Sequence, residues 1–359
     1  MGLQSLEIQD FRNIVSASLQ FSAGLNLVFG ENAAGKTSLL EAIYCLGRVR
    51  SFRTSIAAQP IRDGQSAFRL VGRVLSHQGR EIPIGLERHK QGLKVHFDRQ
   101  PVRRLSDLAG SFPVQVLSGD TPTILNGGPR YRRQSMDWAL FHVEQAYREG
   151  WQRYARALRQ RNAALRTQSP VKQVITWDAE LLDAAAQIHS FREKYFEALA
   201  PHLHAEMQLL LPDREVSLRY QPGWPANVAL AEALSQSLDK DRGQGFTQYG
   251  PHRADFSLQV NGKGVVSHCS RGQQKAVVVC FMLAQVQLQQ HRSMPMGAFL
   301  LDDLTSELDA PHQQRVLSAL RDLDSQVFVS AIDPEAVETA AWPAVKKFHV
   351  EHGEIQEVV

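Results

Sequence analysis

A glycine-rich loop near residue 30 has the residue types and the spacing of a phosphate-binding site. Residues 30–37 fit the pattern G-x-x-x-x-G-K-T and lie between an apolar run and a helical segment. In such a loop, backbone N–H groups and the positive end of the helix dipole converge on one anion. The loop therefore predicts a nucleoside triphosphate site. Its predicted contacts are Gly30, Glu31, Asn32, Ala33, Ala34, Gly35, Lys36 and Thr37.

Four side chains are the candidates for the chemistry at this site. Lys36 is expected to reach the β- and γ-phosphates, and the Thr37 hydroxyl to hold Mg²⁺. The buried strand pattern at 299–301 ends in Asp302 and Asp303. A carboxylate at the end of a strand beside a phosphate loop holds Mg²⁺, and the next one can orient or deprotonate an attacking water. We predict Thr37 and Asp302 as metal ligands, and Lys36, Asp302 and Asp303 as catalytic residues.

The strand and helix patterns around these motifs divide the chain into three segments. Strand patterns predominate before about residue 120, helical periodicity predominates from 129 to 199, and strands alternate with helices after 243. We expect Pro201 to interrupt a long helix and 265–267 to form a hairpin strand. The predicted fold is α/β. Residues 1–120 and 244–359 form a nucleotide domain, and 121–243 form an inserted, mainly helical domain.

The composition is that of a globular protein, with 43% apolar and 21% charged residues. No run reaches the eighteen or so apolar residues that a membrane span needs, and the first residues do not resemble a secretion signal. The three cysteines lack a C-x-x-C spacing, which favours free thiols over disulfides or a zinc site. We therefore expect a cytoplasmic protein that has no membrane partner.

Positive charge is concentrated in two stretches, although the formal net charge is only +3. Residues 48–104 contain thirteen Lys or Arg against four acidic residues, and residues 130–166 contain nine Arg against three. Such an excess is typical of a surface that binds a polyanion. It is equally typical of a solvated surface whose charges scatter on folding, so both interpretations stay open.

A second glycine motif, Ser270-Arg271-Gly272-Gln273, opens a helix upstream of the acidic pair. A serine there could act only as a helix N-cap. The motif also resembles the S-x-G-Q signature of ABC-type ATPases, and the Ser-Glu-Leu-Asp sequence at 306–309 resembles their D-loop. The resemblance implies that Ser270, Gly272 and Gln273 contact the γ-phosphate of a nucleotide bound by a second subunit.

Further motifs narrow the resemblance to the RecF family, in the RecF/SMC branch of ABC-type ATPases. They are Phe11-Arg12-Asn13, Gly30-Glu31-Asn32, Ser51-Phe52-Arg53-Thr54, Arg132-Arg133 and Gly250-Pro251-His252-Arg253. The resemblance runs from Leu3 to the last hairpin of the chain. It implies an ABC/SMC-like P-loop ATPase head with a mixed sheet, ATP and Mg²⁺ as cofactors, and an ATP-dependent homodimer.

The resemblance also implies a function in DNA repair. Members of this family bind single-stranded, gapped or junction DNA and work with RecO and RecR to load RecA, which supports gap repair, fork recovery and the SOS response. Their ATP hydrolysis is slow, so a weak DNA-dependent ATPase is expected. The arginines that we select as candidate DNA contacts, each equally suited to a structural role or to the nucleotide site, are Arg12, Arg53, Arg130, Arg132 and Arg133.

Two departures from the family pattern bear on nucleotide binding and turnover. Ala33 stands where this branch usually has glycine, and a positive φ there would cost about 1 kcal/mol. Residues 331–333 lack the histidine that many ABC ATPases place at the γ-phosphate, which favours slow hydrolysis. The alternatives are a transporter cassette, another chromosome-maintenance or repair ATPase head, an ATPase fused to a nuclease, and a binding module without turnover.

Overall fold

The computed structural model describes residues 2–76, 79–102, 112–119, 123–291, 297–307, 309–323 and 325–358. The chain forms two compact units. The terminal unit combines Met1–Thr121 with Arg271–Val359, and the inserted unit is Pro122–Ser270. In the described residues no helix is both long and apolar enough to cross a lipid bilayer.

The strands are numbered here in chain order. They are β1 (Gly2–Phe11), β2 (Ile14–Gln20), β3 (Leu25–Phe29), β4 (Ala67–Leu75), β5 (Glu81–His89), β6 (Leu93–Phe97), β7 (Gln100–Pro101), β8 (Val114–Leu117), β9 (Val216–Gln221), β10 (Asp255–Val260), β11 (Lys263–Gly264), β12 (Ala298–Leu301), β13 (Gln326–Ala331), β14 (Val345–Glu351) and β15 (Glu354–Val358).

The helices are numbered in the same way. They are α1 (Lys36–Arg48), α2 (Thr123–Asn126), α3 (Pro129–Val143), α4 (Gln145–Arg166), α5 (Val171–Ile175), α6 (Asp178–Leu210), α7 (Leu230–Gln236), α8 (Leu238–Gln244), α9 (Val265–His268), α10 (Arg271–His291), α11 (Leu304–Glu307) and α12 (Ala310–Asp322). Short 3₁₀ turns occur at Pro251–Arg253 and Pro334–Ala336.

In the described residues, the terminal unit contains two six-stranded sheets. One is antiparallel, in the order β2-β1-β4-β5-β6-β7, and the other has the order β15-β14-β3-β13-β12-β8 with only β15 antiparallel to its neighbour. Helix α1 contacts strands of both sheets, and eleven of its thirteen residues are buried. A helix buried on nearly all sides belongs to the core, so α1 is part of the core of the terminal unit.

The order of the parallel strands determines where the site lies. Strand β3 pairs with β13, and β13 pairs with β12, all in parallel. The carboxyl ends of parallel strands lie at one edge of a sheet, which is where ligands bind in open α/β sheets. The loop after β3 is the glycine-rich loop, and Asp302 directly follows β12. The topology therefore brings together motifs that are far apart in the sequence.

The inserted unit is built around α4, α6 and the three-stranded sheet β11-β10-β9. Aromatic rings fill its core: Phe196 stacks on Tyr220 at 5.2 Å between ring centroids and packs on Phe256 at 5.3 Å. The unit extends further along the chain than the predicted boundary at residue 243, because β10 pairs along its whole length with β9. Strand patterns at 255–267 had suggested membership in the nucleotide domain. The predicted boundary at 120/121 lies outside the described residues.

Two local predictions were wrong. Pro201 lies inside α6 without ending it; the buried Leu199 and Leu203 on either side of it anchor the helix, and packing offsets the hydrogen bond that proline removes. Residues 265–267 belong to helix α9 rather than to a strand. The hairpin after β10 closes on the two-residue strand β11, and the chain then turns into α9 with Val265 buried.

Candidate functional site

The two glycines of the G-x-x-x-x-G-K-T pattern are required by close packing of the loop. At Gly30, with φ 147°, a Cβ would lie 2.2 Å from the Val350 carbonyl oxygen. At Gly35, with φ 126°, it would lie 2.9 Å from the Asn13 side-chain amide nitrogen. Both conformations favour residues without a Cβ. The turn after β1 and the strand β14 thus press directly against the loop.

Ala33 has φ 64°, so the left-handed conformation considered for this position is present. The next carbonyl in the chain is held from two sides. Ala34 O accepts a hydrogen bond from Asn13 Nδ2 at 2.9 Å and another from Gly353 N at 2.8 Å. The β1–β2 turn and the β14–β15 turn therefore hold the strained loop in place, at a strain cost of about 1 kcal/mol for Ala33.

Lys36 is buried at the start of α1, with 8% of its surface exposed. Its Nζ donates to the carbonyl oxygens of Gly30 at 2.7 Å and Glu31 at 2.8 Å. Burial lowers the pKa of Lys36, while the negative charges of Asp303 and Asp302 act in the opposite direction. The N-cap of α1, Gly35, provides no side-chain cap. The first-turn N–H groups and one ammonium group thus lie together, an arrangement that suits an anion.

Asp302 is the centre of an oxygen-rich cluster at the ends of β12 and β13. Its Oδ1 accepts hydrogen bonds from Thr37 Oγ1 at 3.0 Å and from Ser330 Oγ at 2.8 Å. Burial raises the pKa of Asp302, and the hydrogen bonds from Ser330 and Thr37 oppose that rise. Hydroxyl and carboxylate oxygens are the ligands that Mg²⁺ prefers, so the two predicted metal ligands are adjacent and of a suitable type.

Ser330 was not predicted from the sequence. Besides donating to Asp302, its Oγ accepts a hydrogen bond from Asp303 N at 2.8 Å. Asp303 has φ 54°, a left-handed conformation, and is only partly buried. One hydroxyl therefore fixes the carboxylate of the first Asp and the backbone of the second. The only sequence signal was its position, a polar residue that follows the apolar residues 327–329 near the end of a strand.

Glu41, one turn after Thr37 on α1, was also missed. It is fully buried and forms a two-point ion pair with Arg12, whose Nη2 lies 2.7 Å from Oε1 and Nε 2.9 Å from Oε2. Ser51 Oγ also donates to Glu41, and Arg53 Nη1 lies 3.6 Å from it. Arg12 is therefore held in an internal ion pair. Arg53 is 45% exposed, and its charge is one of the weaker influences that lower the pKa of Asp302 against the effect of burial.

The other three candidate DNA contacts lie in the inserted unit. Arg132 forms a two-point ion pair with Asp255 at 2.7 and 2.8 Å, and this hydrogen bonding raises the pKa of Arg132. Arg133 donates to Ala254 O at 2.9 Å. Arg130 is exposed, and no ion pair engages it within the described ranges. Among these three arginines, only Arg130 has no internal hydrogen-bond or ion-pair partner in the described residues.

The signature motif lies at the beginning of α10. Ser270 and Gly272 are exposed and Gln273 is partly exposed, whereas residues 276–286 of the helix are buried. In the D-loop segment, Leu308 and the side chains of Ser306 and Glu307 lie outside the described residues. Asp309 is the N-cap of α12 and accepts from His312 N at 3.0 Å.

The Gly-Pro-His-Arg stretch proves to be a packing element of the inserted unit. A Cβ at Gly250 would lie 2.2 Å from the Tyr154 hydroxyl, and Pro251 O accepts from the buried Arg192 at 2.9 Å. His252 accepts from Tyr154 at Nδ1 (2.6 Å) and donates from Nε2 to Thr247 O at 3.1 Å. Burial lowers the pKa of His252 to about 4, so the ring is neutral near pH 7.

Comparisons with known proteins agree over the whole chain. The RecF/RecN/SMC N-terminal domain family matches residues 2–356. The DNA replication and repair protein RecF of Shewanella denitrificans is 40% identical over 357 residues, which is 99% of each chain. That of Erwinia tasmaniensis is 40% identical over 356 residues, covering 99% of this chain and 98% of the relative.

Solved structures give the same picture. A structure described as the recombination mediator protein RecF-ATP in the RecFOR pathway matches with a TM-score of 0.90 and 25% identity, covering 100% of this chain and 98% of that one. An SMC head bound to the C-terminal winged-helix domain of ScpA matches with a TM-score of 0.63 and 15% identity, covering 100% and 97%. The second match concerns the fold alone. Together they confirm the predicted α/β fold of an ABC/SMC-like head.

Proposed function

The chain belongs to the RecF family of DNA replication and repair proteins, and from that premise we propose that it is an ATP-dependent DNA-binding protein of recombinational gap repair and replication fork recovery. The observation that supports this most directly is the convergence of the loop at 30–37, Asp302 and Ser330 at one sheet edge. The family assignment also sets aside the transporter cassette.

The residues at this edge fit ATP with Mg²⁺. Lys36 and the uncapped start of α1 would hold the β- and γ-phosphates, and Thr37 and Asp302 would hold Mg²⁺. The metal would supply positive charge against the phosphate oxygens. Lys36 already donates to two carbonyls of its own loop. Bound phosphates would replace these neutral hydrogen-bond acceptors with charged ones. Asp303, held at its backbone by Ser330, would orient the attacking water.

The second part of the proposal is a dimer that forms only with ATP. Ser270, Gly272 and Gln273 of one copy would contact the γ-phosphate bound by the other, giving two nucleotides in a symmetric dimer. Their position supports this, because the first turn of α10 is exposed or partly exposed while residues 276–286 are buried. A helix N-terminus next to a serine hydroxyl suits a phosphate.

The third part concerns DNA and the partner proteins. The dimer would bind single-stranded, gapped or junction DNA chiefly through phosphates, and with RecO and RecR it would help to load RecA and to induce the SOS response. Hydrolysis would be slow and would reset the dimer, because the Ala-Ile-Asp sequence after β13 offers no histidine to the γ-phosphate. A cytoplasmic location follows from this role.

Sedimentation velocity tests the dimer. We expect the wild-type chain to be monomeric without nucleotide and dimeric with ATP and Mg²⁺. Ser270→Arg should bind ATP as the wild type does yet remain monomeric, because the added side chain occupies the exposed surface that meets the partner's phosphate. Ser217→Arg, at another exposed serine of the inserted unit, is the matched control and should dimerise. A Ser270→Arg dimer formed at wild-type ATP concentrations would contradict the shared site.

A loading assay tests the pathway. RecA nucleation on gapped DNA coated with single-strand-binding protein should be faster when RecO, RecR and this chain are all present with ATP. Lys36→Arg should remove the contribution of this chain but not the basal activity of RecO and RecR. If the rate with RecO and RecR is the same whether or not the wild-type chain is added, the pathway assignment fails.

A further inference from the structure

Helix α4 carries four exposed arginines, of which Arg153 is ion-paired. We call the other three, Arg156, Arg159 and Arg166, the arginine ridge. No ion pair engages their guanidinium groups in the part of the chain that the structure describes. An α-helix advances about 100° and 1.5 Å per residue, so the three side chains lie within a sector of roughly 80° along about 15 Å. The ridge is thus one continuous face rather than charge spread around the helix.

The acidic residues that reach α4 are already paired with other arginines. Arg153 binds Glu180 at 2.8 Å and Asp183 at 2.7 Å. The buried Arg161 likewise binds Asp178 at 2.8 Å and Asp241 at 2.7 Å. The pKa of Glu180 is lowered first by its hydrogen bond from Arg153, with Arg156 a weaker contributor. Internal pairing therefore uses two arginines of the helix, and in the described residues the three ridge arginines form no ion pair.

After Glu149, two turns before Arg156 on the same helix, the sequence offers the ridge no acidic residue up to 177. A helix that exists only to be solvated usually places an acid three or four residues from each base, and like charges at such spacing destabilise it by a few tenths of a kcal/mol. Here Arg156 and Arg159 are three residues apart. Helix α5, which packs against α4, adds the exposed Lys172. A bound polyanion would relieve this repulsion.

We propose that the arginine ridge binds the sugar-phosphate backbone of DNA. The inference rests on the proposed DNA-binding function and assigns it a surface that differs from the arginines selected from sequence motifs. Phosphates of one strand are spaced about 3.4 Å along the duplex axis, so a ridge of about 15 Å can follow roughly four of them. The ridge reads no sequence, because contacts to phosphates position the protein without distinguishing bases.

The test measures DNA affinity of the full chain with ATP and Mg²⁺ over a range of salt concentrations, using a gapped duplex. Each lost phosphate contact reduces the slope of log K against log salt by about 0.9. We expect the variant R156Q/R159Q/R166Q to bind roughly 10- to 100-fold more weakly at low salt, with a slope shallower by about 2 to 3. ATP affinity and unfolding should match the wild type, since all three side chains are exposed.

Two matched variants separate this role from net charge and from folding. R156K/R159K/R166K keeps the charges and should keep most of the slope. R73Q/R80Q/R321Q removes three arginines that are exposed or partly exposed and already pair with Glu81, Asp98 and Asp322. It should leave the slope close to that of the wild type, although it changes the net charge by the same amount.

The outcomes distinguish the two proposals. If the wild type binds DNA with a steep salt dependence and the glutamine variant of the ridge does the same, the ridge assignment is overturned and the proposed function stands. If the wild type shows no DNA binding with ATP, the proposed function fails and the ridge assignment fails with it. A slope reduced equally in the ridge variant and in R73Q/R80Q/R321Q would assign the effect to net charge and overturn the ridge.

Discussion

Two buried cations, Arg192 in the inserted unit and Lys36 in the terminal unit, are hydrogen-bonded in different ways. In the inserted unit, the fully buried Arg192 faces Asp137 at 2.7 Å and also donates to Tyr147 and Pro251. In the terminal unit, the buried Lys36 donates to two carbonyls of its own loop beside an uncapped helix. A buried cation with its own carboxylate is part of the architecture. One that donates to loop carbonyls at a strand edge is suited to a ligand that brings negative charge.

Two of the non-glycine residues that have a positive φ lie at the predicted site. Ala33 and Asp303 are held at φ 64° and 54°, and both belong to the strand edge that carries the predicted site. In the inserted unit, the positive φ values near the buried arginine network fall on glycines such as Gly223 and Gly250, where they cost little. At Ala33 and Asp303 the strain falls on residues that have a side chain, whereas at Gly223 and Gly250 glycine avoids it.

The largest expected effect comes from removing the buried ion pair of the inserted unit. Arg192→Met should lower the free energy of unfolding by about 3–5 kcal/mol, because Asp137 would stay largely buried without its cation. Urea unfolding of the full chain measures it. Arg153→Gln, at an exposed ion pair on α4, is the control and should change stability far less than Arg192→Met does. Equal stability of Arg192→Met and the wild type would show that the pair is dispensable.

The next effect is a pH dependence of stability from His252. Its pKa is about 4 in the folded chain and about 6.5 when unfolded, so the unfolded state binds the extra proton as the pH falls between these values. Stability from the neutral ring is present above pH 6.5 and is lost toward pH 4. We expect a loss of about 2 kcal/mol between pH 7 and pH 5.

The check is to compare unfolding of the wild type and His252→Asn at both pH values. Asparagine can donate to Thr247 O and accept from Tyr154 without titrating. Between pH 7 and pH 5 the variant should therefore lose about 2 kcal/mol less stability than the wild type does. Parallel pH curves for the two proteins would mean that the ring does not control this window.

A smaller effect is expected at the acidic pair of the terminal unit. Ser330→Ala removes the donor to Asp302 and the acceptor for Asp303 N. We expect about a tenfold lower ATPase kcat, equivalent to one hydrogen bond of about 1.4 kcal/mol, with ATP affinity little changed. Ser330→Thr should retain turnover. Ser325→Ala, just before the other end of β13, is the control; if it slows turnover as much as Ser330→Ala does, the effect is not specific to the acidic pair.

The smallest expected effect concerns Ala33. Ala33→Gly should raise the free energy of unfolding by about 0.5–1 kcal/mol, because glycine adopts a positive φ without strain. The neighbouring Ala34→Gly should lower it, since Ala34 has an ordinary φ and glycine only adds unfolded-state entropy. Thermal unfolding of both variants measures the pair. A lower stability for Ala33→Gly would show that the loop is not strained there.

The sequence was most informative where chemistry is concentrated in a short segment. The loop at 30–37 and Asp302 could be predicted as site residues because their residue types, spacing and strand-end positions are local properties. Ser330, Asn13 and Glu41 were missed because each acts through a contact that is distant in the chain or hidden inside a regular element, such as the 2.9 Å bond from Asn13 to Ala34 O. The predicted unit boundary at residue 243 was too early for the same reason, because β10 pairs with the distant strand β9.

The arginines show the other limit of sequence reasoning. Arg12 and Arg132 stood out through motifs, yet both form two-point ion pairs with carboxylates far along the chain. Arg156, Arg159 and Arg166 belonged to the basic stretch at 130–166 but matched no motif. Whether an arginine is paired internally depends on tertiary contacts that charge counts do not contain, so the structure was needed to separate the two groups.

The most direct test of the account is an equilibrium titration of ATP into the full chain, with Mg²⁺ and with Mg²⁺ removed by chelation. We expect one ATP per chain, tighter binding with Mg²⁺, and loss of the Mg²⁺ effect in Asp302→Asn. Lys36→Ala should weaken binding by at least tenfold, through loss of a charge-assisted contact of about 1.5–3 kcal/mol, while its unfolding stays close to the wild type. ATP binding by Lys36→Ala at wild-type affinity, or no ATP binding by the wild type, would contradict the account.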